Sequence, residues 1–428
     1  LRLVYRKSWA LRPAQAVFRY ALESTGQRFP GGITGGIYVI QLLLVIIYLS
    51  FISLGLPDAL LGSAWPSMHQ ELAVPVSYAG VISLIIAVGT IVSSLLCARL
   101  VRKLGTGKLT AISVGMTAIA LMGFALSHNI WLIFLWAVPY GLGAGSVDAA
   151  LNHFVAAHYQ AKHMSWLHCF WGVGATLGPY IMGACLTNQL GWNYGYGIVS
   201  IIQLVLTAAL IFSLPLWKRA GEVQELEQRN APVMRIGKLL SVPRVKHILV
   251  AFFCYCSLEL TAGLWGSSYM VMQKGFSAEL AASTISLFYL GITGGRFLSG
   301  FLTVRFSNKT MIRLGQGIGF IGIVLLWFAF NYLTVCAGFI LIGMGCAPIY
   351  PSLLHQTPDR FGKELSQSMM GLQMACAYVG NTVSPLLCGF LIGNISSSLY
   401  PLIMLVYLAA MMIMVEVCNM KKNDKNTV

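Results

Sequence analysis

Asp58, in LGLPDALLGSAWP (54–66), and Asp148, in GLGAGSVDAALNHF (141–154), stand inside apolar runs long enough to cross a bilayer. An ionised carboxylate in hydrocarbon costs about 3 kcal/mol or more. Such an acid faces a cavity, finds a partner or carries a proton. Both are therefore assigned to proton coupling. Asp58 follows Pro57, which weakens the helix there, and is expected to be the principal coupling acid. Asp148 is expected to respond to substrate, because Asn152 lies one turn further along the same helix.

Other residues could complete a site for a small polar solute. Phe51, Gly55, Asp58, Gly62 and Trp65 recur at three- and four-residue spacing on one face of the first apolar run, which would line a cavity. Ser165, His168 and Trp171 share a side of the fifth run. A polar donor beside an aromatic ring suits a sugar, which presents hydroxyls at its rim and C–H groups on its faces. In the second half, Glu259 is a third intramembrane acid, Gln373 and Asn381 are polar in an apolar run, and Tyr350 stands between Pro348 and Pro351. The substrate-binding set is thus Trp65, Asn152, His168, Trp171, Glu259, Tyr350, Gln373 and Asn381. His153, His158 and His163 read as solvated loop residues, and Arg296 as a cation snorkelling to the surface.

The elements that must position these groups follow from composition. The chain of 428 residues is 57% hydrophobic and 10% charged, with mean hydropathy +0.74, more apolar than a soluble core requires. Twelve apolar runs are long enough to span, each about 20 residues. The polar interval 218–246 divides them six and six. The expected order is a basic extension (1–37), read as dispensable rather than as a membrane-surface arm or targeting segment, a six-helix bundle (38–217), a cytoplasmic linker (218–246) whose Glu and Arg run can form a short helix, a second bundle (247–419) and a tail (420–428). Every one of the 28 Lys and Arg except Lys274 falls in alternate connections or the tails, so the net charge of +15 follows membrane topology, with both termini cytoplasmic, and calls for no nucleic acid. The ten cysteines have no metal spacing and read as small apolar filler. GLGAG and GVGATLG lack the strand and the Lys-Ser/Thr of a phosphate loop and read as close helix packing. Without a nucleotide motif no ATP drive and no cofactor is expected, and the coupling ion is a proton or sodium.

The halves repeat. GLGAGSVDAALNH (141–153) matches GMGCAPIYPSLLH (343–355), GATLGP (174–179) matches GNTVSP (380–385), and VSYAGVISLI matches FSAELAASTISLF, each pair roughly 200 residues apart. Parallel halves put a substrate site at their seam near the midplane. With these features the chain resembles the major facilitator superfamily, and within it the fucose:proton symporter family and glucose-transporting relatives. The resemblance covers about 38–419 and rests on Asp58, Leu60 and Leu61; on Asp148, Ala150 and Asn152; on Leu167, Phe170, Gly174 and Ala175; on Glu259, Trp265 and Tyr269; and on Gly295 and Arg296. The fucose symporter has Glu in place of Asp148 and Gln in place of His168. The superfamily motif between helices 2 and 3 is reduced to Ala98, Arg102, Lys103 and Gly105.

The resemblance implies an all-α membrane protein of twelve helices in two pseudo-symmetric six-helix bundles. It implies a secondary transporter rather than an enzyme, working as a monomer in the lipid bilayer of the plasma or inner membrane. Proton-coupled symport of a hexose-type sugar is the first expectation. The alternatives are a drug or metabolite:proton antiporter, since GATLGPYIMG (174–183) follows the antiporter pattern of helix 5 except at Met182, and a sodium-coupled sugar carrier. An intramembrane aspartyl protease is disfavoured, because Asp148 does not complete a G-x-G-D string.

Overall fold

The structure, a computed structural model, describes residues 32–58, 60–75, 78–218, 234–276 and 278–420. Most of the expected extension (1–31), the central part of the linker (219–233) and the tail from 421 lie outside the described residues. So does the Glu and Arg run expected to form a linker helix, although a short helix, Ile236–Ser241, follows it.

Among the described residues, twelve helices are long and apolar enough to cross a membrane. Span 1 comprises Gly32–Gly55 and Leu60–Glu71. Spans 2 to 6 are Tyr78–Leu104, Thr106–Ala125, Ile130–His158, Ala161–Thr187 and Trp192–Phe212. Spans 7 to 9 are Val245–Lys274, Ala278–Leu302 and Asn308–Trp327. Span 10 runs as Tyr332–Cys346 and Ile349–His355, broken beside Pro348, and spans 11 and 12 are Lys363–Asn394 and Leu399–Asn419. Helices satisfy every backbone group within one segment, which hydrocarbon demands. Local capping marks their ends: Asn129 accepts from the Trp131 amide, and Asn331 with Thr334 forms a reciprocal capping box.

The glycine strings set the packing, and they set it twice. A Cβ at Gly141 would strike the carbonyl of Ile86, so span 4 lies backbone to backbone on span 2; Gly343, its counterpart in the repeat, meets the carbonyl of Phe288 in the same way. Gly174 presses on the carbonyl of Ile52 in span 1, and its counterpart Gly380 lies against the carbonyl of Phe253 in span 7. Equivalent helix pairs thus touch through equivalent glycines, the signature of two pseudo-symmetric bundles. The halves meet where spans 2 and 4 face span 11 and where span 5 faces span 8.

Replacing Gly174 by Val should destabilise the protein by roughly 1–3 kcal/mol, because neither backbone can retreat. Gly183→Ala, inside the helix where an added Cβ meets nothing within 4 Å, should keep or raise stability, by up to about 1 kcal/mol. Thermal unfolding of both variants in detergent checks the contrast.

Candidate transport site

Span 1 is not continuous. Pro57 has no amide hydrogen, so the Ser53 carbonyl one turn back receives no helical donor. Between Gly55 and Leu60 the chain turns, the Asp58 amide reaching only to the Gly55 carbonyl at 3.2 Å. Gln203 of span 6 supplies what Pro57 withholds: its Nε2 donates to the Ser53 carbonyl at 2.7 Å, and Thr117 of span 3 donates to its Oε1 at 3.0 Å. Gln203 and Thr117 are both buried. The break turns Asp58 off the helix.

Asp58 is exposed, yet it is held from one side. The indole N–H of Trp171 on span 5 donates to one carboxylate oxygen at 2.8 Å, and the Tyr140 hydroxyl on span 4 approaches the other at 3.5 Å. Behind Trp171 the Arg296 guanidinium lies over the indole, 5.4 Å from its centre, and Arg296 pairs with Glu259 at 3.0 Å. Arg296 is only 4% exposed and its Nε is a buried donor without a partner, so it does not snorkel. It sits two turns short of the end of span 8, in the seam, where the Glu259 carboxylate compensates its charge.

A second connection crosses the seam at Asp148. The Tyr378 hydroxyl of span 11 donates to one Asp148 oxygen at 2.7 Å, and Asn152 donates to the other at 2.7 Å. The Asn152 carbonyl oxygen meets His168 Nε2 at 3.1 Å. His168 packs edge-on against Tyr350, whose ring stacks on Tyr255. Asp148, Asn152 and His168 are all buried.

The structure therefore brings Asp148, Asn152, His168 and Tyr350 into one cluster and Asp58, Trp171 and Glu259 into another beside it. Asn381 is half-buried, one turn past Tyr378. Gln373 turns away, accepting from Thr357 at 3.0 Å and leaving its own Nε2 buried without a partner. Trp65 belongs to an apolar cluster with Leu60, Trp192 and Tyr196, and Phe51 is covered by the His168 ring, so the expected cavity face of span 1 is open at Asp58 and Gly62 but filled at Phe51 and Trp65. The break at Pro57 explains this: the two segments no longer share one stripe.

The histidines expected in solvent are instead buried or half-buried, and one of them, His153, joins the closure. His153 is 3% exposed and meets Ser366 of span 11 at 3.3 Å, and His163 is half-buried and bonded to the Tyr48 hydroxyl at 2.8 Å. His158 is likewise half-buried, its Nδ1 2.8 Å from the Phe154 carbonyl. His355 reaches the Tyr159 carbonyl across the seam at 3.0 Å, and Gln367 donates to Cys97 Sγ at 3.3 Å. Among the described residues, the hydrogen bonds that cross between the halves all lie from the level of Asp148 toward the end carrying the basic connections. The halves are shut at that end, while Asp58 faces the space open to the other.

The sequence profile of the Major Facilitator Superfamily matches residues 47–385 and 275–420. The chain belongs to the Major Facilitator Superfamily. It is a multi-pass membrane protein and a transporter by family, not an enzyme. It is 22% identical over 352 residues to the glucose/mannose transporter GlcP of Bacillus subtilis, spanning 80% of this chain and 86% of that one. The yeast Bypass of stop codon protein 6 (Saccharomyces cerevisiae) is 19% identical, spanning 85% and 80%. The fold is shared with the transporter FucP in its outward conformation (TM-score 0.69, 14% identity, 88% of this chain and 99% of that one). It is shared also with the proton:xylose symporter XylE (TM-score 0.74, 13% identity, 90% and 96%).

Within this superfamily fold, the sequence reading missed Tyr140, Gln203 and Tyr378 as partners of the site. A signal existed for Gln203 alone: an unexplained amide in an apolar span, and a Pro elsewhere that must orphan one carbonyl. If Gln203 replaces the amide that Pro57 lacks, Gln203→Leu should cost roughly 1–3 kcal/mol. It should cost less in a Pro57→Ala background, where residue 57 again carries an N–H. A double-mutant cycle on thermal stability reads the coupling; strictly additive effects would remove the role assigned to Gln203.

Proposed function

We propose that the chain is a proton-coupled symporter of a hexose-type sugar, working by alternating access in the plasma or inner membrane with both termini cytoplasmic. The single observation that carries this reading is the division of labour between the two acids. Asp58 faces the open side and is held only within its own half, whereas Asp148 is bonded across the seam to Tyr378.

A proton arriving from the open side reaches Asp58 first. Neutral Asp58 weakens the pull on the Trp171 indole and leaves no net charge to carry through an apolar seam. A sugar hydroxyl can replace Tyr378 as donor to Asp148, with Asn152 and His168 offering further partners and Trp171 an aromatic face. Losing the Tyr378 contact releases a tie between the halves. Apart from the Arg296 contact with Trp171, the remaining closure is made of neutral hydrogen bonds, each worth about 1 kcal/mol net, so binding energy of ordinary size can shift the equilibrium. The similarity to a glucose/mannose transporter and to a proton:xylose symporter supports a sugar as substrate. The string that follows the antiporter pattern is accounted for by packing, Gly174 and Gly178 lying on the carbonyls of Ile52 and Leu56.

Vesicles reconstituted with the protein should accumulate a hexose when an inward proton gradient is imposed. Asp58→Asn should abolish accumulation while sparing sugar counterflow, and Asp148→Asn should weaken binding as well. An Asp58→Asn variant that still concentrates sugar would move the coupling role to Asp148 or Glu259. Gradient-driven export of cationic drugs without sugar uptake, or sugar uptake driven by sodium alone, would replace this reading.

A further inference from the structure

We propose that the shut end of the seam carries a binding site for one anionic glycerophospholipid from the adjoining leaflet. A groove of about 220 Å³ opens where span 2, span 11 and the linker helix Ile236–Ser241 come together. Its walls include Val92 and Leu96 of span 2, Leu372 of span 11 and Ile236 of the linker, with Arg99 and Ser368 as the polar members. Val92, Leu96 and Ile236 are 42%, 39% and 45% exposed, so the apolar wall is open to hydrocarbon.

The groove is polarised along its length. Val92, Leu96 and Arg99 follow one another at four- and three-residue spacing on one face of span 2, which sets the guanidinium about 10 Å beyond Val92 along the axis. Arg99 is exposed five residues before the end of the helix, and among the described residues no carboxylate pairs with it. The linker helix adds Arg235 immediately before it and Lys238 within it, both exposed. A cation at the membrane boundary above an apolar trough fits an amphiphile with an anionic head, the phosphate on Arg99 and an acyl chain against Val92, Leu96 and Leu372. Free phosphate would leave that trough empty.

The occupant would touch both halves. The opposite face of span 2 meets span 11 where Gly371 lies against the Ser94 carbonyl and Gln367 bonds Cys97. A lipid bound across spans 2 and 11 on the outside therefore favours the arrangement in which this end is shut.

The test is native mass spectrometry of the full-length protein released from bilayers of equal phosphatidylglycerol and phosphatidylcholine. One phosphatidylglycerol should stay bound in preference to phosphatidylcholine, and Arg99→Gln should lower its retention roughly five-fold, as expected for one near-surface cation. Val92→Trp, which fills the trough without altering charge, should also displace it, and Lys108→Gln, outside the groove, should not. Equal retention of both lipids, retention unchanged in Arg99→Gln and Val92→Trp, or equal loss in Lys108→Gln would overturn the site. Displacement by soluble glycerol 3-phosphate would reassign it to a free phosphate ester.

Discussion

A carbonyl with no donor is costly by several kcal/mol in hydrocarbon, and Pro57 creates one at Ser53 in the first span. The amide of Gln203 answers it from across the bundle, and Thr117 fixes that amide in turn. Because the donor comes from another helix, span 1 can turn between Gly55 and Leu60 without leaving Ser53 unsatisfied. The turn delivers Asp58 to the open side and lets Trp171 and Tyr140 hold it there. Without the break, residue 58 would continue the stripe of Phe51 and Gly55, which is packed against span 5.

From Asp58 the interactions lead to the seam through a single aromatic ring. Trp171 donates its N–H to the acid and offers its face to Arg296, which belongs to the other half and is balanced by Glu259. Glu259 lies in the same half as Arg296, so the pair holds the guanidinium on its own side and only its contact with the indole crosses the seam. The contacts nearer the basic end, at His153, Cys97 and Tyr159, are neutral and individually weak. The seam thus combines the stacking of the Arg296 guanidinium on Trp171, one carboxylate contact at Tyr378 and a set of neutral hydrogen bonds that part at modest cost.

The bundles on either side are much stiffer. Gly141 on Ile86 and Gly343 on Phe288, like Gly174 on Ile52 and Gly380 on Phe253, bring backbones into contact where side chains cannot interpose. Close-packed helices of this kind move as bodies rather than deforming. Relative movement of the halves is therefore confined to the polar seam, where the acids stand.

The sequence by itself determined the twelve apolar spans, the repeat that makes two alike halves, the glycine contacts within them and the presence of intramembrane acids. All of these follow from hydropathy, spacing and the cost of burying charge, which are properties of residues and their neighbours in the chain. It also brought together Asp148 and Asn152, because Asn152 is one helical turn from Asp148, whereas the contact of His168 with Asn152 came from the fold. What only the tertiary structure decided were pairings across long separations. Tyr378 lies 230 residues from Asp148, Gln203 150 residues from Ser53, and Arg296 meets Trp171 from the other half. Arg296 and His153 were misread because position near a helix end resembles solvent exposure in a sequence, whereas in space the facing half covers each, Trp171 over Arg296 and Ser366 against His153. Trp65 and Gln373 were misplaced for the complementary reason: a helical stripe assumes a continuous helix, and a polar residue in an apolar run can be claimed by a local partner such as Thr357 before it reaches the site.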